Sequence, residues 1–238
     1  MTTATSWLGL PHVSFDTETT GVDVSRDRIV TAAQVVAVPG GEVEATKHWL
    51  LDPGIEIPAG ATSVHGISTA HAREHGQVAR AGLDEIAQAL AGHALGGAPV
   101  VVFNAAYDLT LLDNNLRHHG LATLSERLQG APLHVIDPLV LDRAFDRYRR
   151  GKRTLGVLAE VYGIDIEDAL HDAAADATVT LHVLARIAAK FPELGEQSLT
   201  DLQSFQHTAH REWAQNFNQW REGQGFSGPG ASEEWLPA

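Results

Sequence analysis

Two acidic residues at the end of an apolar segment are the first candidates for chemistry. Asp16 and Glu18 lie two residues apart in the segment 12–18, whose composition predicts a β-strand. Side chains alternate between the two faces of a strand, so both carboxylates share one face while Val13 and Phe15 share the other. Neighbouring carboxylates repel each other unless a cation or a shared proton compensates their charge.

Two further aspartates each begin an apolar stripe on a predicted helix. Asp108 follows the apolar run 99–104, and Asp176 stands near the start of the segment 172–191, five residues after His171. A single Asp near a helix start most often caps the helix or complements its dipole. Capping therefore remains open for each of these two residues taken alone.

The four acids together are harder to explain by capping, because all are expected at one edge of a sheet. Buried charges require pairing or a metal ion, and the chain offers no matching set of buried lysines or arginines. Oxygen-rich sites suit Mg²⁺ or Mn²⁺. The pattern thus indicates a divalent-cation site.

The elements that must position these acids follow from apolar periodicity and turn residues. The first three predicted strands are separated by short turns, which favours an antiparallel meander. Helices alternate with strands after it, which is typical of an α/β layer fold around a mixed sheet. The predicted strands are 12–18, 28–38, 42–51, 99–104 and 134–139, and the predicted helices are 68–75, 83–95, 106–119, 154–162, 172–191 and 199–220.

The last predicted helix is amphipathic, with apolar residues three and four positions apart. Such a stripe is expected to face the core. We therefore predict a catalytic domain at 1–192. Residues 193–238 are predicted to form a helical extension and a flexible, Gly-rich tail that pack on this domain. The stripe consists of Leu202, Phe205, Ala209, Trp213, Phe217 and Trp220.

Charge is distributed unevenly. The net charge of −13 is unusual for a protein that binds phosphates. The segment 143–153, however, contains six basic residues and one acid, so it could hold a nucleic-acid strand locally. A solvated charged loop is the alternative.

Several classes of protein are disfavoured by what the sequence lacks. The absence of cysteine rules out disulfides, thiolate zinc sites and cysteine nucleophiles. No apolar run is long enough to cross a bilayer, and the segment 1–10 does not resemble a secretory signal. A cytoplasmic protein without membrane association is expected.

Three motifs in this order resemble the DEDDh exonuclease superfamily, which includes the DNA polymerase III epsilon subunit. They are FDTETTG at 15–21, FNAAYD at 103–108 and HDAAAD at 171–176, and the resemblance covers roughly residues 10–190. HGI at 65–67 resembles the epsilon-like branch, and 134–158 resembles stand-alone actinobacterial exonucleases. All five signature positions match.

The resemblance implies an RNase H-like fold with a five-stranded mixed sheet flanked by helices. It also implies 3′→5′ exonuclease activity on DNA with a free 3′ end, releasing nucleoside 5′-monophosphates. Two divalent ions, Mg²⁺ or Mn²⁺, would be held by Asp16, Glu18, Asp108 and Asp176. His171 would act as the general base.

Further residues are candidates for substrate binding. Thr19, Thr20 and Gly21 would line the pocket for the terminal nucleotide, which Asn104 and His65 could also contact. Asn104 could equally be a turn residue, and His65 a structural loop histidine. Phosphate contacts are expected from Arg149, Arg150, Lys152 and Arg153.

Three alternatives remain open at this point. The substrate could be RNA, since the sequence does not reveal how a 2′-hydroxyl would be received. The chain could be a proofreading module that binds a polymerase through its C-terminal helix. Finally, the segment 71–75 fits the zinc-peptidase pattern H-x-x-E-H, with two histidines one helical turn apart. Proofreading, repair and nucleotide recycling all remain possible roles.

Overall fold

The fold is built on a mixed sheet, seen in a computed structural model that describes residues 6–166 and 171–237. The first half of the segment 1–10, where no secretory signal is expected, lies outside the described residues. The strands are β1 (His12–Thr19), β2 (Ile29–Ala37), β3 (Val43–Asp52), β4 (Gln77–Val78), β5 (Val100–Val101) and β6 (Val135–Ile136).

The sheet has the order β4-β3-β2-β1-β5-β6. Strands β1, β2 and β3 form the predicted antiparallel meander, and the other three pair in parallel with their neighbours. The α/β mixed-sheet prediction is confirmed, but the prediction of five strands is wrong. The strand that was not predicted is β4, whose two residues pair in parallel with Leu51 and Asp52 of β3. It is too short to produce a periodic pattern.

Helices cover both faces of the sheet. They are α1 (Ala59–His65), α2 (Thr69–His75), α3 (Ala79–Leu95), α4 (Ala105–His118), α5 (Leu124–Leu128), α6 (Pro138–Phe145), α7 (Leu155–Val161), α8 (Ala173–Lys190) and α9 (Leu199–Gly223). The six predicted helices are present, while α1, α5 and α6 were not predicted.

Helix α6 begins where a strand was predicted to continue. The segment 134–139 was expected to be extended, but β6 ends at Ile136. Asp137 then caps α6 by accepting hydrogen bonds from the backbone N–H groups of Leu139 and Val140. Pro138 occupies the first turn, where its missing N–H has no cost.

The central strand β1 lies between two cores. Val13 and Phe15 pack in the core shared with α3 and α4. Helix α8 packs against β1 and β2 from the opposite side. The register shifts between Glu18 and Thr19, and such irregularities re-aim side chains at the end of a strand.

Helix α9 covers the edge of the sheet formed by β6. The side chain of Gln206 accepts a hydrogen bond from Asp137 N (2.7 Å) and donates one to Val135 O (2.9 Å), so it pairs with the edge of β6 as a neighbouring strand would. The tail then returns across α9, and Trp235 is buried (1% exposed) beside Asp137.

The extension therefore shares contacts with the rest of the chain, but its separation as a domain at 193–238 stays a prediction. Within the described residues, no helix combines the length and apolar character that a bilayer crossing requires.

Candidate active site

The predicted catalytic residues converge on one open cleft of about 410 Å³ at the carboxyl end of β1. Asp16 and Glu18 enter from β1, and Asp108 enters from the first turn of α4. Asp176, in the first turn of α8, and His171, which precedes that helix, complete the acidic side. Three separate elements thus supply one group of side chains.

Asp108 is held by a hydrogen bond from the neighbouring strand. The Thr17 hydroxyl donates to Asp108 Oδ1 at 2.6 Å, and the carboxylate is 4% exposed. The first N–H groups of α4 are satisfied elsewhere, because Asp137 accepts from Asn104 N (3.1 Å) and Ala105 N (2.9 Å). Capping therefore does not explain Asp108, and its carboxylate faces the cleft.

Asp176 is likewise not a cap. The N-cap of α8 is Asp172, which accepts hydrogen bonds from the N–H groups of Ala174 and Ala175. Asp176 Oδ2 accepts from His171 N at 3.3 Å, whereas Oδ1 is buried without a hydrogen-bond partner among the described residues. A buried carboxylate oxygen left without a partner is costly unless a cation binds it.

One triad in the cleft has the spacing of a metal site. Ligand atoms of Glu18, His171 and Asp176 all lie within 4.8 Å of one another. Among residues 6–166 and 171–237, it is the one group of three or more His, Asp or Glu side chains that lie close enough together to hold an ion. The alternative motif at 71–75 does not form one, although its two histidine rings lie 4.7 Å apart.

Burial and mutual repulsion raise the pKa values of the cleft carboxylates. Burial raises the pKa of Asp16 well above its usual range, and Asp108, Asp176 and Glu18 raise it further by repulsion. Burial, followed by repulsion from Asp176 and Asp108, raises the pKa of Glu18 to about 8.

The other two carboxylates respond in the same direction. Burial raises the pKa of Asp108 to about 7, although the hydrogen bond from Thr17 opposes the shift. Burial also raises the pKa of Asp176, against the opposing influence of His171. Strongly raised carboxylate pKa values in a cleft are typical of a functional site, and a bound divalent cation would reverse them.

The turn after β1 is held rigidly in place. Thr19 Oγ1 donates to Gly21 O (2.8 Å) and lies 2.8 Å from the hydroxyl of Tyr107, which also donates to Gly21 O. Thr20 is buried and donates to Asp27 Oδ1 (2.8 Å), so its side chain shapes the turn rather than lining the cleft. A Cβ on Gly21 would lie 2.6 Å from the Asp27 carboxylate, so a larger residue there would displace the Asp27 side chain that holds the turn.

The predicted pocket residues Asn104 and His65 lie in different settings. Asn104 is an exposed lining residue of the cleft in the left-handed conformation (φ 64°). His65 Nδ1 accepts a hydrogen bond from Ile67 N at 3.1 Å. Burial lowers the pKa of His65, and a hydrogen bond with the Thr19 backbone opposes this shift. His65 Nε2 is buried without a hydrogen-bond partner in the described part of the chain.

The predicted phosphate-binding residues separate into two groups. Arg149 and Arg153 each donate to the fully buried carboxylate of Asp142 at 2.9 Å, and this ion-pair cluster holds the loop between α6 and α7. Arg150 and Lys152 are exposed to solvent. Of the four, only Arg153 also lines the cleft.

Two residues were not selected from the sequence. Thr17 positions Asp108, and its place between the two acids of β1 was the available signal. Arg143 lines the same cleft as the acids, and burial lowers its pKa to about 10, so it stays charged at neutral pH. It was noted only as part of the basic segment.

Comparison with known proteins places this site in a family. Residues 13–184 match the sequence profile of the RNase T family, described as exonucleases. A DNA polymerase III subunit epsilon-like protein of Rhodobacter capsulatus is 33% identical over 80% of this chain and 25% of its own length. A PolC-type DNA polymerase III of Lacticaseibacillus paracasei is 29% identical over 75% of this chain and 12% of its own length.

Solved structures show the same fold. An exonuclease I structure aligns with a TM-score of 0.68 at 20% identity, covering 79% of this chain and 42% of that one. Escherichia coli exonuclease I in complex with a dT13 oligonucleotide aligns with a TM-score of 0.66 at 19% identity, covering 78% and 42%. This chain spans a quarter or less of the curated relatives and under half of these structures. As its three motifs predicted, the chain belongs to the RNase T family of exonucleases, in the DEDD superfamily.

Proposed function

We propose that this protein is a divalent-metal-dependent 3′→5′ exonuclease that hydrolyses the terminal phosphodiester of DNA and releases nucleoside 5′-monophosphates. One observation carries the proposal: Asp16, Glu18, Asp108, Asp176 and His171 meet in a single open cleft. An open cleft of this kind can receive the end of a strand.

The residues present fit divalent cations. Four carboxylates from three elements supply oxygen donors, which Mg²⁺ and Mn²⁺ prefer. Asp176 Oδ1 has no hydrogen-bond partner within the described part of the chain, and Glu18 and Asp176 offer carboxylate oxygens within 4.8 Å of each other. We assign Asp16, Glu18 and Asp176 to one ion, and Asp16 with Asp108 to a second. Bound there, two ions would stabilise charge on the scissile phosphate and increase the acidity of the attacking water.

The protein's own groups divide the remaining work. His171 stands exposed at the mouth of the cleft, with its backbone N–H held by Asp176, so its imidazole is placed to take the proton from the attacking water. Thr19, Gly21 and Asn104 position the terminal nucleotide, with Tyr107 fixing the turn. His65 supports this pocket from behind the turn.

The basic loop has two parts under this proposal. Arg143 and Arg153 line the same cleft as the acids, where they would contact a phosphate next to the scissile one. Arg150 and Lys152 are exposed and would contact the backbone further along. Arg149 supports the loop through Asp142. None of these contacts reads a base, so little sequence preference is expected.

DNA is favoured over RNA by the similarity to known proteins. The two relatives compared above carry the name of DNA polymerase III, and the E. coli structure holds a DNA oligonucleotide. Association with a polymerase would have the same basis.

The test is digestion of a 5′-labelled single-stranded DNA oligonucleotide with Mg²⁺ or Mn²⁺. We expect a ladder that shortens from the 3′ end and is lost in EDTA and in Asp16→Ala. The matched control is Glu44→Gln, which alters an exposed carboxylate on β3 outside the cleft and should retain activity. An RNA oligonucleotide of the same sequence runs in parallel. Faster cleavage of RNA would overturn the DNA assignment, and no cleavage of either would overturn the proposed activity.

A further inference from the structure

A groove runs along α9 beside the catalytic cleft. It encloses about 460 Å³ and lies between the end of α6, the basic loop and the middle of α9. Arg143 and Arg153 line both the groove and the cleft, so the two depressions share a wall. A strand that leaves the cleft past these arginines would enter the groove.

A row of aromatic rings continues from this groove toward the end of α9. Adjacent ring centroids lie 5.4 Å apart between Trp213 and Phe217 and 5.7 Å apart between Phe217 and Trp220. Phe226, in the tail, lies 5.7 Å from Trp220. The two outer rings are open to solvent, Trp220 by 53% and Phe226 by 55%.

The exposure of these rings corrects a prediction. The apolar stripe of α9 was expected to face the core, and Leu202 and Phe205 do pack there. The prediction is wrong for Trp220, whose ring lies beside Phe217 and the tail residue Phe226 and belongs to neither core cluster of the described residues. Clustered exposed aromatic rings mark interaction sites.

Guanidinium groups are interleaved with the rings. Arg143 Cζ lies 3.6 Å from the centroid of the Trp213 ring. Arg221 Cζ lies 5.9 Å from the Phe217 centroid and 5.6 Å from that of Phe226. The lining of the groove holds three arginines against one acid, Glu212. This surface is therefore locally basic although the chain carries a net charge of −13.

Aromatic rings interleaved with arginines suit single-stranded nucleic acid, because bases stack on the rings while phosphates pair with the guanidinium groups. We define the stacking row as Trp213, Phe217, Trp220 and Phe226, with Arg143, Arg147 and Arg221 beside it. We propose that the stacking row binds the strand on the 5′ side of the nucleotide held in the cleft, an inference that rests on the proposed function.

The dimensions of the row set its capacity. A helix rises about 1.5 Å per residue, so Trp213 and Trp220 lie about 10 Å apart along the axis. Stacked bases are spaced about 3.4 Å apart, so a strand lying along the row would span roughly three nucleotides, with the exposed rings of Trp220 and Phe226 open for stacking. Stacking is tolerant of sequence, which matches an exonuclease that must accept each new end.

The test compares substrates that can and cannot reach the row. Rates are measured with Mn²⁺ on a 15-nucleotide oligothymidylate and on a thymidine dinucleotide. Trp220→Ala should raise KM for the long substrate about tenfold, the usual loss for one stacked base. Trp220→Phe keeps a ring and should restore most of that loss, and KM for the dinucleotide should change far less. Leu95→Ala, at an exposed apolar residue ending α3, is the control and should match the wild type on both substrates.

Each outcome decides the inference. Equal effects of Trp220→Ala on both substrates, or none on either, would overturn it. Loss of polymerase binding in Trp220→Ala with unchanged KM values would overturn it in favour of a protein-docking face. If the wild-type protein cleaves neither substrate, the proposed function fails, and anisotropy of the labelled 15-mer then decides the inference alone. Binding about tenfold weaker in Trp220→Ala would support it, and equal binding would overturn it.

Discussion

Replacing Glu18 by glutamine should stabilise the metal-free protein at alkaline pH while impairing its activity. The pKa of Glu18 is raised from its ordinary value of 4.5 to about 8 by burial and by repulsion from Asp176 and Asp108. Folding therefore holds a proton on Glu18 that the unfolded chain releases. Removing the ionisable group removes this penalty and leaves a side chain of nearly the same shape.

The sign and size follow from proton linkage. Below pH 4.5 Glu18 is protonated in the folded and the unfolded chain, so its raised pKa does not lower the stability of the folded protein. Between pH 4.5 and about 8 the unfolded chain binds fewer protons, so stability falls as pH rises and levels off above that window. Each pH unit costs about 1.4 kcal/mol, and solvent screening of this partly exposed group reduces the total to about 2–4 kcal/mol.

The assay is urea denaturation in EDTA at pH 5 and pH 8.5, comparing midpoints at constant m-value. Glu18→Gln should be more stable than wild type by about 2–4 kcal/mol at pH 8.5 and by well under half of that at pH 5. Glu44→Gln, at an exposed position on β3, should show no difference at either pH. A Glu18→Gln protein that is less stable at pH 8.5, or equally shifted at both, would refute the electrostatic reasoning.

Metal ions should cancel most of this difference. Saturating Mn²⁺ at about 100 times its Kd should stabilise the wild-type protein by about 2.7 kcal/mol for each site. The Glu18→Gln protein lacks one metal ligand, so Mn²⁺ should stabilise it less than the wild type. If the variant gains as much as the wild type, Glu18 does not bind the ion.

Four further predictions concern single contacts. His171→Ala should lower kcat about 10²- to 10⁴-fold with KM nearly unchanged in steady-state digestion, and an unchanged rate would remove His171 as general base. Thr17→Val removes the donor to Asp108 and should lower kcat/KM about tenfold, with weaker Mn²⁺ binding by calorimetry; unchanged binding would contradict this positioning role. Asp142→Asn leaves two buried arginines under-compensated and should cost about 3 kcal/mol in urea denaturation, whereas a loss below 1 kcal/mol would contradict it. Trp235→Ala should cost about 3–5 kcal/mol, and no loss would show that the tail does not pack on the domain.

Local periodicity was sufficient to predict the acidic half of the site. The two-residue period of a strand placed Asp16 and Glu18 on one face, and the helical period turned Asp108 and Asp176 toward the interior. These rules act over a few residues, so they hold without knowledge of the rest of the chain. The three motifs then supplied the family, which the matched profile confirms.

Long-range pairing decided what periodicity could not. The sequence presents Arg149, Arg150, Lys152 and Arg153 as equivalent charges, but only the fold shows which of them pair with a buried acid. That acid, Asp142, precedes the basic run and has no local signal of its own.

The same reason applies to the elements that were missed. Strand β4 exists only because Leu51 and Asp52 lie beside it, and α6 replaces the end of a predicted strand because Asp137 caps it. The exposure of Trp220 depends on which other elements pack against the end of α9. The sequence by itself determined which residues could perform the chemistry and on which face each lies. Only the tertiary structure decided which charges are free to meet a substrate, because burial and pairing depend on residues distant in the chain.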